Sequence, residues 1–265
     1  MPRLVDTHCH LDDPRFRADL PVVLDRAIAA GVVRIYGIGT DLASSRVTLA
    51  LARSQEMLAA VVGLHPNSIA EATPGDWDAI VELARLPDVV GIGESGLDRH
   101  WDKTPFAVQE DYFARHLALA RACDKPIVIH NREADADTVR LLRDDFERSG
   151  PIRGILHSCA ANAPTVEACL AMGLHISFSG MLTYKNADAI RAVAATVPDE
   201  RLLIETDAPY LSPLPVRGQR NEPAFVAHTA ARLAAIRGIS VERLGEMTTR
   251  NAFELFDRVR PGSNA

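Results

Sequence analysis

Residues Val5–His10 read VDTHCH. An apolar residue opens the stretch, and Asp6, His8 and His10 then fall at every second position. Alternate residues of a strand share a face. The spacing therefore predicts one face carrying Asp6, His8 and His10, with Cys9 turned the other way. In a barrel that polar face is the interior. A carboxylate and two imidazoles so close together need partners, and the rest of the chain holds candidates.

Seven further runs resemble the first in length and apolar content: RIYGIG, LAAVVGLH, VVGIGE, PIVIH, GILHS, LHISFSG and RLLIETD. Each is too short for a helix, rich in Val and Ile, and bounded by Gly, Pro or polar residues, which favours strand. Segments of helical period lie between them. Leu20, Val23, Leu24, Ala27 and Ile28 form one, Phe113, Leu117 and Ala120 another, and Val139, Leu142 and Phe146 a third. Val226, Ala230 and Leu233 mark a late helix. Leu244, Met247, Leu255 and Phe256 mark the last, with Ser240 as its N-cap. Eight strand–helix units in 265 residues predict an α/β fold, a single (β/α)8 TIM-type barrel of the metal-dependent hydrolase type, with residues 1–265 as one domain. A doubly wound open sheet is the rival, but no glycine fingerprint follows the first strand.

The composition is that of an ordinary globular chain, 47% hydrophobic and 24% charged. A net charge of −6 excludes a global basic field, so an anionic substrate must be met locally. Cys9, Cys123, Cys159 and Cys169 form no CxxC pair and read as reduced thiols. No stretch reads as an export signal or a membrane span, and a cytoplasmic protein is expected. No apolar stripe is left over for an interface, so a monomer is expected.

In parallel barrels, chemistry sits where strands end. The residues closing the runs are His8 and His10, then His65, Glu94, His130, His157 and Asp207. A single histidine in such a place is ordinarily a hydrogen-bonded core residue. Several imidazoles and two carboxylates at one barrel end are costly to bury unless a cation neutralises and gathers them. Imidazole and carboxylate donors without a thiolate cluster suit Zn2+, Mn2+ or Mg2+. Six ligands (His8, His10, Glu94, His130, His157 and Asp207) exceed one tetrahedral ion and match two divalent metal ions bridged by Glu94.

DTHCHLD, GLHP, GESGLD, TPFAVQ, PIVIHNREA, ILHS, SFSGMLTYKNA, LLIETDAPYL, RGQRNEP and RNAFELF, in this order, resemble the TatD family of metal-dependent deoxyribonucleases within the amidohydrolase-like barrels. The resemblance covers nearly the whole chain. It implies a hydrolase of DNA phosphodiester bonds, a 3′→5′ exodeoxyribonuclease acting on single-stranded ends with water activated by two metals. Carried over by position, His8, His10 and Asp207 hold one ion, His130 and His157 the other, and Glu94 bridges. His65 lies near the bound phosphate. Departures from the family pattern are Ser95, the stretch RHWDK, Asn131 and the stretch HSCAAN. None is a proposed ligand, and they bear on substrate preference.

Asp207 and Glu94 are the candidate catalytic residues, Asp207 orienting the attacking water and accepting its proton. Glu205 shares parity with Asp207 and is a candidate partner of a ligating histidine. Asp6 is another. Arg132, Arg217 and Arg220 are the expected phosphate contacts, with Arg99 and Lys185 as further cations on the same face. Trp101, Tyr184 and Tyr210 can stack on bases, yet 5% aromatic residues suggest no stacking platform. Two other readings compete. One is a small-molecule hydrolase of an ester, lactone or amide, against which Glu94 stands where such barrels commonly bridge with a carboxylated lysine. The other is a non-catalytic metal-binding scaffold.

Overall fold

The computed structural model describes residues 2–257. Eight strands follow one another in sequence order around one sheet: β1 (Leu4–Cys9), β2 (Val32–Ile38), β3 (Leu58–Val62), β4 (Val89–Asp98), β5 (Ile127–Arg132), β6 (Gly154–Leu156), β7 (His175–Phe178) and β8 (Leu202–Ile204). Every neighbouring pair is parallel. The seam between the last strand and the first closes just beyond β8. There Asp207 N–H donates to the His8 carbonyl at 2.9 Å and His10 N–H to the Ala208 carbonyl at 2.7 Å. The result is the (β/α)8 barrel expected from the eight apolar runs.

Outside it stand α1 (Leu20–Ala29), α2 (Leu42–Ser54), α3 (Asp76–Ala84), α4 (Phe106–Cys123), α5 (Asp135–Ser149), α6 (Ala163–Ala171), α7 (Asp188–Thr196) and α8 (Val226–Arg237). The periodic positions of α4 and α8 face the strands and are buried. In α1, Val23, Leu24 and Ala27 are buried while Ile28 faces outward, 59% exposed. A ninth helix, α9 (Val241–Phe256), begins at Ser240, whose hydroxyl accepts from Arg243 N–H at 3.1 Å. Its far end turns under the barrel, where Ala252, Leu255 and Phe256 join Val5, Tyr36, Val61, Val128 and Leu203 in a small inner core. The Phe256 ring stacks on Tyr36 at 4.0 Å. The larger core fills the layer between strands and helices.

β1 departs from simple alternation. Val5 belongs to the inner core, and Asp6 pairs with Ile35 of the outer core. The register shifts between Asp6 and Cys9, placing an extra residue in the strand. The Thr7 hydroxyl then meets Ser177 across the interior at 3.1 Å. The expectation that Asp6 shares the interior face with His8 and His10 is therefore corrected. Parity does not carry across the bulge, which brings the two histidines inward while Asp6 stays at the seam. There the Asp6 carboxylate accepts from Thr206 N–H at 2.9 Å and from its hydroxyl at 2.6 Å. Burial raises the Asp6 pKa to about 8 against these bonds.

Candidate metal centre

The C-terminal ends of the strands bring the predicted side chains together. On one side, His8 Nε2 lies 3.2 Å from His10 Nε2, 3.3 Å from Glu94 Oε2 and 3.6 Å from Asp207 Oδ1. His10 Nε2 lies 3.6 Å from Glu94 Oε2 and 3.4 Å from Asp207 Oδ1. Donors about 2.1 Å from a tetrahedral ion are about 3.4 Å from one another, so these four atoms have the spacing of one coordination shell. The other oxygen of Glu94 faces a second group. Glu94 Oε1 lies 2.8 Å from His157 Nε2 and 2.9 Å from His130 Nδ1, and the two ring nitrogens are 3.4 Å apart. One carboxylate thus spans two clusters of ligand atoms.

The far ring nitrogens have partners of their own. His10 Nδ1 donates to the Ile38 carbonyl at 3.0 Å, so Nε2 is the nitrogen that faces the centre. His130 Nε2 contacts Asp98 at 3.1 Å and His157 Nδ1 contacts Glu205 at 3.3 Å. A ligating imidazole characteristically hands its other N–H to a carboxylate or carbonyl in this way. His65 is reversed. Its Nδ1 accepts from Asn67 N–H at 3.0 Å, so the proton sits on Nε2, 3.6 Å from Glu94 Oε1. Burial lowers the His65 pKa to about 3. His65 is therefore a neutral donor facing the centre.

Charge is concentrated here. Burial acts to raise Glu94, but His157 and the His130 hydrogen bond help to overcome it and hold the carboxylate well below its usual range. Burial would likewise lower His10, yet the Asp207 hydrogen bond and the Glu94 charge push it up to about 9. Two inward ring nitrogens 3.2 Å apart are accommodated either by such a proton between them or by a dication.

Local backbone choices make the site possible. A Cβ on Gly96 would lie 2.0 Å from the His130 carbonyl oxygen, and one on Gly93 would lie 2.6 Å from the Val128 carbonyl oxygen. Only glycine lets β4 approach β5 so closely on both sides of Glu94. Asp207 and Ser158 adopt left-handed conformations, with φ of 59° and 41°. The turn at Ser158 aims its N–H at Glu205 Oε1, 2.7 Å away. Glu205 thus supports both the ring of His157 and the chain that follows it.

Asp98 escaped the sequence reading. It shares parity with Glu94 along β4, which is the signal that could have found it. The substrate candidates fare differently. Arg132 lies over the Trp101 ring at 5.7 Å and Arg217 over Tyr184 at 3.8 Å, each without a carboxylate partner among the described residues. Arg220 binds Asp19 through two nitrogens at 2.8 and 2.7 Å and also the Arg15 carbonyl, so its charge is already paired. Arg99 is held by Asp137 at 2.7 Å. Asn131, one of the departures, ties Asp135 to Thr138 rather than facing the ligands.

A (β/α)8 barrel with imidazole–carboxylate clusters at its C-terminal mouth defines the class, a metal-dependent hydrolase. The family model described as TatD related DNase matches residues 5–257, and the chain belongs to that family. It is 38% identical over 253 residues to the uncharacterized metal-dependent hydrolase YabD of Bacillus subtilis, covering 96% of this chain and 98% of that protein. It is 35% identical over 261 residues to the 3′-5′ ssDNA/RNA exonuclease TatD of Salmonella typhimurium, covering 97% and 100%. The crystal structure of the Escherichia coli K12 TatD homologue YJJV superposes with a TM-score of 0.90 at 31% identity, covering 96% of this chain and 98% of that one.

Proposed function

We propose that the protein is a phosphodiesterase that trims single-stranded nucleic acid from its 3′ end with two divalent ions. His8, His10 and Asp207 would hold one ion and His130 and His157 the other, with Glu94 offering one oxygen to each group. The observation that carries this reading is the position of Glu94 between two donor clusters. Its Oε2 lies 3.3 Å from His8 Nε2 and its Oε1 2.8 Å from His157 Nε2 and 2.9 Å from His130 Nδ1, whereas His65 turns an N–H toward it. The relative named an exonuclease supports the substrate class. Bound ions would supply charge neutralisation at the phosphate and a water of lowered pKa.

The chain's own groups do the rest. His65 Nε2–H donates to a non-bridging phosphate oxygen and, being neutral, loses no proton to Glu94. Asp207 orients the attacking water and accepts its proton, since its carboxylate stays ionised; burial works against that state, but the hydrogen bond and charge of His10 help to prevail over it. Arg132 and Arg217 bind flanking phosphates through guanidinium geometry.

The test is digestion of 5′-labelled single-stranded DNA by protein of measured metal content, with chelated controls and a lactone and phosphotriester panel alongside. Stepwise shortening from the 3′ end that chelation abolishes is expected. Hydrolysis of a lactone or phosphotriester with DNA untouched would overturn the assignment.

A further inference from the structure

We propose that Trp101 and Arg132 form a nucleotide subsite at the rim of the mouth, the indole stacking on a base and the guanidinium binding a phosphate of the same strand. The inference rests on the nuclease reading and deepens it.

Both tryptophans meet a histidine edge-on, Trp101 against His100 at 4.9 Å, but they differ in exposure. Trp77 packs edge-on against Tyr112 at 5.6 Å and His116 at 4.8 Å. Trp101 is 49% exposed in the loop leaving β4, with the Arg132 guanidinium over its ring. An exposed indole offers a face to any base, because every base has a π-surface.

The rim beside it carries charges of both signs. A groove of about 740 Å3 runs along the rim past Arg99, Asn131, Arg132 and Ala160. Its carboxylates are engaged. Asp137 pairs with Arg99 at 2.7 Å, Glu133 with His100 at 2.8 Å, and Asp135 accepts from Asn131 at 2.7 Å and from Asn162 at 2.9 Å. Arg132 is the groove's cation without a carboxylate partner among the described residues.

The subsite is also registered to the metal centre. The backbone N–H groups of His100 and Trp101 donate to Asp98 Oδ1 at 2.8 and 3.0 Å. The other oxygen of Asp98 holds His130 Nε2 at 3.1 Å. Arg132 leaves the same strand as His130, two residues on. One carboxylate therefore positions both a ligand histidine and the loop that presents the indole. A base on Trp101 would fix the strand at a constant distance from the ions.

The test uses the metal-loaded protein and ten-nucleotide single strands carrying one abasic residue at the first, second or third position from the 3′ end. At one of these positions the missing base should raise KM about tenfold with kcat little changed. Trp101→Ala should reduce that penalty below about twofold, and Trp101→Phe should retain an intermediate value. The inference is overturned if no position shows a penalty, or if Trp101→Ala keeps the full one. A second readout does not depend on turnover. In a Trp77→Phe background, base-bearing DNA should quench Trp101 emission more than the abasic strand does, and equal quenching sinks the subsite. Absence of all DNA hydrolysis would defeat the nuclease reading, and the fluorescence comparison would still decide the subsite on its own.

Discussion

The two ends of this barrel are built on opposite principles. At the floor, Phe256 stacks on Tyr36 and packs with Val5, Val61 and Leu203, and Arg34 approaches Asp257 at 3.7 Å only at the edge. At the mouth, His8, Glu94 and His157 are as deeply buried, yet they carry nitrogen and oxygen where the floor carries methyl groups. Among the described residues His8 Nδ1 and Glu205 Oε2 have no hydrogen-bond partner there, while at the floor the buried atoms without one are the Tyr36 hydroxyl and, at the edge, Arg34 Nε. Apolar burial stabilises by itself. Buried polar groups cost free energy unless fully partnered. The floor should therefore carry stability and the mouth function, and the two should respond separately to substitution.

The largest effect should come from the group shared by both ligand clusters. Glu94→Gln leaves one oxygen where two are required, so both ions should be lost or misplaced. Hydrolysis should fall by about 10³-fold or more, with reduced metal content by elemental analysis. Near-normal turnover with full metal content would break the assignment of Glu94 as the bridge.

The opposite end supplies the complementary test. Phe256→Ala removes an almost fully buried ring and leaves a cavity beneath the strands. Unfolding free energy should drop by about 3–4 kcal/mol, read by denaturant titration. Turnover per folded molecule should stay within about twofold. A parallel loss of activity would show that floor and mouth are coupled.

Acid should weaken the scaffold at both ends. His116 Nδ1 donates to the Tyr112 carbonyl at 2.7 Å and Nε2 accepts from Leu64 N–H at 3.0 Å, beside the His65 loop. Burial lowers its pKa to about 4, and burial with nearby Arg201 does the same to His175 at the start of β7. The unfolded chain takes up these protons near pH 6.5. Between about 6.5 and 4 it therefore binds more protons than the native state, and stability falls as pH falls. The contribution is complete above that window and lost below it, up to about 3 kcal/mol for His116. His116→Gln keeps an acceptor for Leu64 without titrating. The stability difference between wild type and this variant should shrink from pH 7 to pH 4, and a constant difference would rule His116 out.

Much of this was legible in the sequence because a parallel barrel sends its chemistry to strand ends, where short apolar runs terminate visibly. His8, His10, His65, Glu94, His130, His157 and Asp207 all stand at such ends and all meet. What could not be read depends on partners distant in sequence. The bulge that separates Asp6 from the histidines is set by pairing with β2, and the placement of α9 under the floor by the ring of Tyr36. Arg220 looked available for phosphate until Asp19, two hundred residues earlier, was seen to hold it. Asp98 was within reach, since it lies four residues beyond Glu94 on the same face.

Asp98 also separates the two halves of the mouth. On one side the far nitrogen of His10 is held by a backbone carbonyl, which no side-chain change can remove. On the other, Asp98 accepts from four donors: His100 and Trp101 N–H on one oxygen, His130 Nε2 and Asn67 Nδ2 on the other. Asparagine has one oxygen and one NH2 group, so in either orientation Asp98→Asn turns a donor toward two donors. The His130 ring should lose its charged partner or the Trp101 loop its anchor. Affinity for the ion at His130 and His157 should fall about 10- to 100-fold, while the ion at His8, His10 and Asp207 is retained. Calorimetric titration of the metal-free variant should then resolve one tight and one weakened site where wild type shows two tight ones. Equal weakening of both would mean that the bridge couples the two ions more strongly than their separate outer contacts distinguish them.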